Sequence, residues 1–382
     1  MPEPDHELAQ WPPLHVQKRK CHCKTKRNRG LLILLIIILF FLIGNVIFLN
    51  VRVLSMNTST PSNTNPTLSA NAQQCLSQYT LNAPSSPSSY PCSTCLPTLQ
   101  TVTSTYLSSN PQNAQQILNA IQFCGLRGIF DTANSQGQAS LLGWVTDVKF
   151  CAWNGVTCDG SGRVANLQLT FPGVPATLPN ELGALTGLES LQVIGGNSIP
   201  AGALPSSFIN LTSLSNLHIE ATAITPLPDS LFSYLTAMTT LTLVRNPMMG
   251  ASLPSTLTQV PLKNLVVNSQ QLNNPLPSLS SSSTLQASLK LLDLSSTSLT
   301  GPIPNTISSF SSLTQLLLSN NNLQAPLPTT FPPSLQIISL QNNTALTGTV
   351  PSSLCNSTQL MSCSLQSTGL SASGGCGSCQ FS

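Results

Sequence analysis

Nine times between residues 164 and 368 the chain repeats one spacing of apolar residues, L-x-x-L-x-L-x-x-N/T, and no other feature restricts its fold so tightly. The units open at Val164, Leu188, Leu214, Met238, Leu262, Leu289, Leu313, Leu335 and Leu360, at intervals of 24, 26, 24, 24, 27, 24, 22 and 25 residues. A unit this short cannot bury its own apolar face, so successive units must stack and share one continuous core. Within each unit the alternation is that of a strand. It sends the leucines inward and positions 3, 5, 7 and 8 outward. The expectation is an α/β solenoid of about nine repeats with a concave sheet.

The ninth position is Asn246, Asn321 and Asn343 in three units and Thr222, Thr297 and Thr368 in three others. An amide or hydroxyl there can satisfy backbone groups that stacking would otherwise leave buried and unpaired. Pro172, Gly196 and Gln270 occupy the same position in the remaining units, so the ladder should be imperfect. A second element recurs about fourteen residues into each unit, as Leu178-Pro179, Leu204-Pro205, Leu253-Pro254 and Ile303-Pro304 among others. Proline fixes φ and excludes a long α-helix, so the convex side should carry extended or 3₁₀ turns.

Ahead of the repeats stands "CAWNGVTC" (151–158), in which Cys151 and Cys158 frame Trp153 and Gly155-Val156. The open end of a solenoid exposes apolar side chains and unpaired strand groups, so a disulfide-stapled lid is expected here, with Trp153 over the first repeat. No histidine or further cysteine lies close enough in sequence to favour a metal site. Cys355, Cys363, Cys376 and Cys379 follow the last full repeats and read as two disulfides of a C-terminal cap, with a four-cysteine zinc site as the rival. Three pairings remain open among them.

"LTGPIP" (299–304) and "LTGTVP" (346–351) behind a C-x-W-x-G-V-x-C cap resemble the plant-type leucine-rich repeat class. That class includes receptor-like kinases and receptor-like proteins, polygalacturonase-inhibiting proteins and protist surface antigens. The resemblance runs from about residue 113 to 370 and includes the lead-in "GRVANLQL" (162–169). It implies a twisted superhelix that recognises extracellular ligands. The sequence departs from the receptors in having no kinase domain and an N-terminal anchor, so their signalling role is not carried over.

The anchor is "LLILLIIILFFLIGNVIFL" (31–49), whose only strongly polar residue is Asn45. At about 1.5 Å per residue it nearly spans a bilayer core of roughly 30 Å. No small-residue cleavage site follows, so an uncleaved signal anchor is expected. Residues 1–30 hold seven of the 14 Lys+Arg and three of the 11 acids, a balance of +4, while the remainder is close to neutral. Basic residues on one flank place the N-terminus in the cytosol and residues 50–382 outside, a type II cell-surface topology. Without a basic field beyond the tail, nucleic-acid binding has no electrostatic footprint. Ten cysteines fall on the oxidising side, as do the sequons at Asn57, Asn210, Asn342 and Asn356. Cys21 and Cys23, close to the bilayer, are candidates for acylation.

The domain reading follows: a basic cytosolic tail (1–30), the anchor (31–49), a Ser/Thr/Pro-rich stalk stapled by cysteines (50–110), an N-terminal cap (111–163), repeats (164–354), and a last repeat with its cap (355–382). Helical spacing at 113–123, and weakly at 138–145, predicts one or two short helices in the cap.

Catalysis fails on inventory. The only histidine beyond residue 22 is His218, and the nearest acid in an equivalent column is Asp293, three strands away. At about 4.8 Å per strand that is roughly 14 Å, beyond the reach of a base and its orienting acid. No cofactor motif appears. The outward columns are largely amide and hydroxyl, with charge at His218, Glu220, Arg245 and Asp293 and apolar residues between. The expected site is therefore concave and uses His218, Glu220, Thr242, Val244, Arg245, Val266, Asp293 and Leu317. It suits an extracellular protein or glycan. A sugar on Asn342 would obstruct the C-terminal third of the face. Any signal would need a cytosolic or membrane co-receptor. The alternatives are a protective coat glycoprotein and, if the anchor is cleaved, a secreted inhibitor of a wall-degrading enzyme.

Overall fold

In a computed structural model the described residues are 67–381, with Leu39 alone upstream. The basic tail, the anchor at 31–49, Cys21, Cys23, Asn57 and the first part of the expected stalk lie outside the described residues. Among those described, no helix is long and apolar enough to cross a membrane.

From residue 67 the chain departs from the expected stalk. Helices α1 (Ala70–Leu81), α2 (Cys92–Gln100) and α3 (Ser104–Ser109) pack onto α4 (Pro111–Thr132), and α5 (Ser135–Ser140) follows. The composition of 67–110 is poor in apolar residues, yet Ala72, Tyr79, Tyr90, Leu99 and Tyr106 are all buried. Disulfides Cys75–Cys95 and Cys92–Cys124 staple these helices to each other and to α4. Cross-links of this kind offset the smallness of the core. The cap thus begins near residue 67 rather than 111. Helix α4 is 22 residues long, twice the expected span, with Pro111 at its first turn where a missing N–H costs nothing.

Among the described residues eleven strands form one sheet. Strand β1 (Val156–Cys158), from the cap, pairs antiparallel with β2 (Val164–Thr170). Eight further repeats each add one parallel strand, and Cys379–Gln380 closes the row. The repeat register is exact across neighbours: Leu167, Leu191, Leu217, Leu241, Leu265, Leu292, Leu316, Ile338 and Cys363 align as one column. Every member of that column is essentially inaccessible to water. The solenoid is therefore held by stacking of like on like, each residue filling the gap above its predecessor.

At the end of the strand, position 8 turns the chain in the left-handed region, at Ala221, Arg245, Ser269, Ser296, Asn320, Asn342 and Ser367 (φ 53–58°). The ninth position then points back inside. Asn246 Oδ1 accepts from the Thr222 N–H (3.1 Å) and hydroxyl (2.8 Å), and its Nδ2 donates to the Ile219 carbonyl (2.9 Å) and to Gln270 (3.2 Å). Gln270 Oε1 also accepts from the Asn246 N–H, so the expected gap at Gln270 is filled. Its extra methylene is accommodated, and the amide oxygen does the accepting that a ladder asparagine does. Pro172 and Gly196 remain outside the ladder, since neither has a side-chain polar group.

On the convex side Pro179, Pro205, Pro254 and Pro304 precede single 3₁₀ turns, as their fixed φ requires. The longest unit instead holds two short helices, Leu276–Ser281 and Ser283–Ser288. Three small parallel sheets, which the repeat spacing does not announce, join neighbouring "LTG"-like segments such as Thr300–Gly301 and Asn322–Leu323.

Both ends are closed covalently. Cys151 bonds Cys158, and of the three pairings open at the other end the structure takes Cys355–Cys376 and Cys363–Cys379. Cys363 and Cys379 are register partners on adjacent strands, so this bond ties the final repeat to the closing strand. Trp153 lies less over the first repeat than inside the cap, among Phe123, Trp144 and Phe150 (ring centroids 5.2–6.4 Å).

Candidate functional site

Parallel pairing brings the outward residues of consecutive repeats into columns. Gln192, His218, Thr242, Val266 and Asp293 are successive members of one, with Leu317 next. Glu220 and Val244 are partners in the next column toward the strand end, and Arg245 follows Val244. The eight residues singled out from sequence are thus placed on one contiguous stretch of the concave face.

The centre of that stretch is a hydrogen-bonded chain. The Gln192 amide approaches His218 Nδ1 (3.2 Å), and His218 Nε2 lies 2.9 Å from Glu220 Oε2. Arg245 Nη2 donates to the other carboxylate oxygen of Glu220 (2.5 Å). Because Gln192 Nε2 is a donor, Nδ1 accepts and the ring proton sits on Nε2, directed at Glu220. The carboxylate is held between two donors and is one-fifth exposed, whereas Arg245 is more than half exposed. The arrangement fixes a guanidinium at the rim with its spare N–H groups open to a ligand.

This geometry corrects one inference. Distance to Asp293 was the ground for expecting no acid within reach of His218, yet Glu220 is two residues along the same strand and in contact. Alternation puts i and i+2 on one face, so the strand period itself carried that signal. Asp293 is engaged elsewhere: Asn268 Nδ2 donates to its Oδ2 (3.2 Å) and the Ser295 N–H to its Oδ1 (2.9 Å). Gln192 and Asn268 were not singled out from sequence, although their register with His218 and Val244 makes both part of the patch.

Among the described residues no group of three or more His, Cys, Asp or Glu is placed to hold a metal ion. Asn210, Asn342 and Asn356 are all exposed, and Asn342 donates to Asn320 (2.7 Å) on the neighbouring repeat.

A stacked parallel sheet, proline-led convex turns and a disulfide-stapled cap define a plant-type leucine-rich repeat solenoid. Comparison with known proteins agrees. Residues 125–159 match the family model described as leucine rich repeat N-terminal domain. Receptor-like kinase TMK2 of Arabidopsis thaliana is 29% identical over 192 residues, 50% of this chain and 19% of that protein. The chain therefore spans about a fifth of that relative's length. Among solved structures, the ectodomain of the Arabidopsis thaliana receptor kinase GASSHO1/SCHENGEN3 superposes with a TM-score of 0.50 at 24% identity, over 66% of this chain and 33% of that one. The Arabidopsis receptor kinase HAESA gives 0.50 at 24%, over 67% and 46%. The chain resembles plant-type leucine-rich repeat extracellular proteins in its cap and in its fold.

Proposed function

We propose that this protein is a membrane-tethered cell-surface receptor or adhesion molecule whose concave face binds an extracellular polypeptide. The observation that carries the reading is the Gln192–His218–Glu220–Arg245 chain, which presents one fixed cation beside half-buried Thr242, Val244 and Val266. Apolar side chains ringed by polar ones, with one oriented arginine, are the composition of protein interfaces. The HAESA ectodomain that shares the fold was solved with the peptide hormone IDA and the co-receptor SERK1, so the fold accommodates such ligands. We read the site as one of binding: the hydrogen-bonded chain of Gln192, His218, Glu220 and Arg245 contains no hydroxyl or thiol nucleophile beside the imidazole. The apolar run at 31–49 tethers the solenoid outside the cell, and its basic flank holds the N-terminus in the cytosol.

The test is capture of surface proteins by the full chain displayed on cells, compared with Arg245→Ala and His218→Ala. A partner retained by the native chain and lost by Arg245→Ala supports the reading. Failure to retain any partner, or retention indifferent to both substitutions, overturns it in favour of a coat glycoprotein. A mature N-terminus near residue 50–60 overturns the tether and favours the secreted inhibitor.

A further inference from the structure

A cavity of about 320 Å³ opens beside the first repeat and shares no lining residue with the His218–Arg245 network. Gly155 (φ +81°) shapes one wall: a Cβ there would stand 2.3 Å from the Gln168 carbonyl, so only glycine lets the cap turn lie directly on β2. The Gln168 N–H donates to the Gly155 carbonyl (2.8 Å), fixing the approach and setting Asn154 beside Gln168. Thr170, two residues along the same face of β2, Phe171 and Ser140 of α5 also line the cavity.

Phe171 is 47% exposed, uncommon for an aromatic residue among the described residues. Its ring rests on Gly196 of the next repeat, where a Cβ would meet ring carbons at 2.7–3.2 Å. Glycine in the ladder position thus makes a seat for the ring and holds it half in solvent. Among the described residues the side chains of Asn154, Gln168 and Thr170 form no hydrogen bond. Asn154 is used only through its carbonyl, which accepts from Trp144 Nε1 (2.9 Å). No lining residue is charged.

We infer that this cavity is a second binding site, for a single neutral sugar ring such as the terminal hexose of a glycan. The volume is at the low end for ligand pockets, about 300–1,000 Å³, and suits one ring rather than a peptide. A hexopyranose has an apolar C–H face and a rim of hydroxyls. The C–H face complements the negative π-face of Phe171. The hydroxyls, each donor and acceptor, complement two unpartnered amides and a threonine hydroxyl. An uncharged lining disfavours a charged ligand, which would lose hydration without gaining a counter-charge.

The experiment is saturation-transfer NMR on the full-length chain, using methyl glucoside, methyl galactoside and methyl mannoside, with glucuronate as the charged control. At least one neutral glycoside should bind with a dissociation constant on the order of millimolar. Phe171→Ala and the double variant Asn154→Ala/Gln168→Ala should each weaken it by about tenfold or more. Both alter exposed side chains, so unchanged circular dichroism and melting separate loss of binding from loss of fold. Arg245→Ala should leave sugar binding intact, which keeps this inference independent of the concave-face reading. Transfer to none of the three glycosides, preference for glucuronate, or full binding by Phe171→Ala overturns it.

Discussion

Arg245 and Glu220 lie on neighbouring repeats, 25 residues apart in sequence, and meet as an ion pair across the concave face. Arg245 reaches the carboxylate from a left-handed turn position just beyond its strand, while His218 approaches from the same strand as Glu220. One carboxylate therefore sets the position of both a histidine and an arginine.

Removing that carboxylate should change recognition far more than stability. Arg245 is largely exposed, and such pairs contribute about 1 kcal/mol or less. Glu220→Gln should melt within a degree or two of the native chain, on the order expected from so small a term. Its partner capture should fall as Arg245→Ala does. A large drop in melting temperature would assign Glu220 to the fold instead.

The interior ladder has the opposite balance. Asn246→Ala strands the Thr222 N–H and hydroxyl and the Ile219 carbonyl in a buried site. At about 1–3 kcal/mol for an orphaned buried group, the loss should be about 2–4 kcal/mol. Urea denaturation of Asn246→Ala against the exposed Asn320→Ala measures it, and equal midpoints would contradict the assignment.

Gly155 admits no side chain. Gly155→Ala adds both a left-handed strain and a clash at 2.3 Å with backbone, and should cost about 2 kcal/mol or more. Gly160→Ala, five residues on, has nothing within 4 Å of its Cβ and no positive φ, and should melt like the native chain. The contrast is read by thermal melting of the two variants.

Acid should loosen the β1–β2 loop. Hydrogen bonds from the Ser161 hydroxyl, the Arg163 N–H and guanidinium, and the Ser161 N–H hold the Asp159 carboxyl well below its ordinary 3.8. A depressed carboxyl stabilises the fold above its unfolded pKa and loses that contribution as pH falls toward the folded one. The native chain should therefore melt above Asp159→Asn at neutral pH, with the gap closing below about pH 4. A gap independent of pH would remove Asp159 from this role.

Much of this was legible in the sequence. Leucine spacing dictates nine stacked strands, because apolar residues at positions 1, 4 and 6 have no other way to leave water. It also dictates which residues face out, hence the patch from His218 to Leu317. The stalk reading failed over 67–110 because composition counts apolar residues without saying whether cross-links let a few suffice. Tyr79, Tyr90 and Leu99 become a core only once Cys75–Cys95 and Cys92–Cys124 close around them. The pairing of Cys355 with Cys376 and of Cys363 with Cys379 likewise depends on which strands end up adjacent.

The sequence by itself determined the repeat, its register and the two sides of its sheet, since all three follow from a local period. Only the tertiary structure decided contacts between residues distant in sequence: the Glu220–Arg245 pair, the seating of Phe171 on Gly196, and the disulfides within each cap, such as Cys92–Cys124 and Cys355–Cys376. These rest on side-chain reach and backbone approach across neighbouring repeats. A one-dimensional period fixes which units are neighbours, and only packing in space fixes which atoms of those neighbours meet.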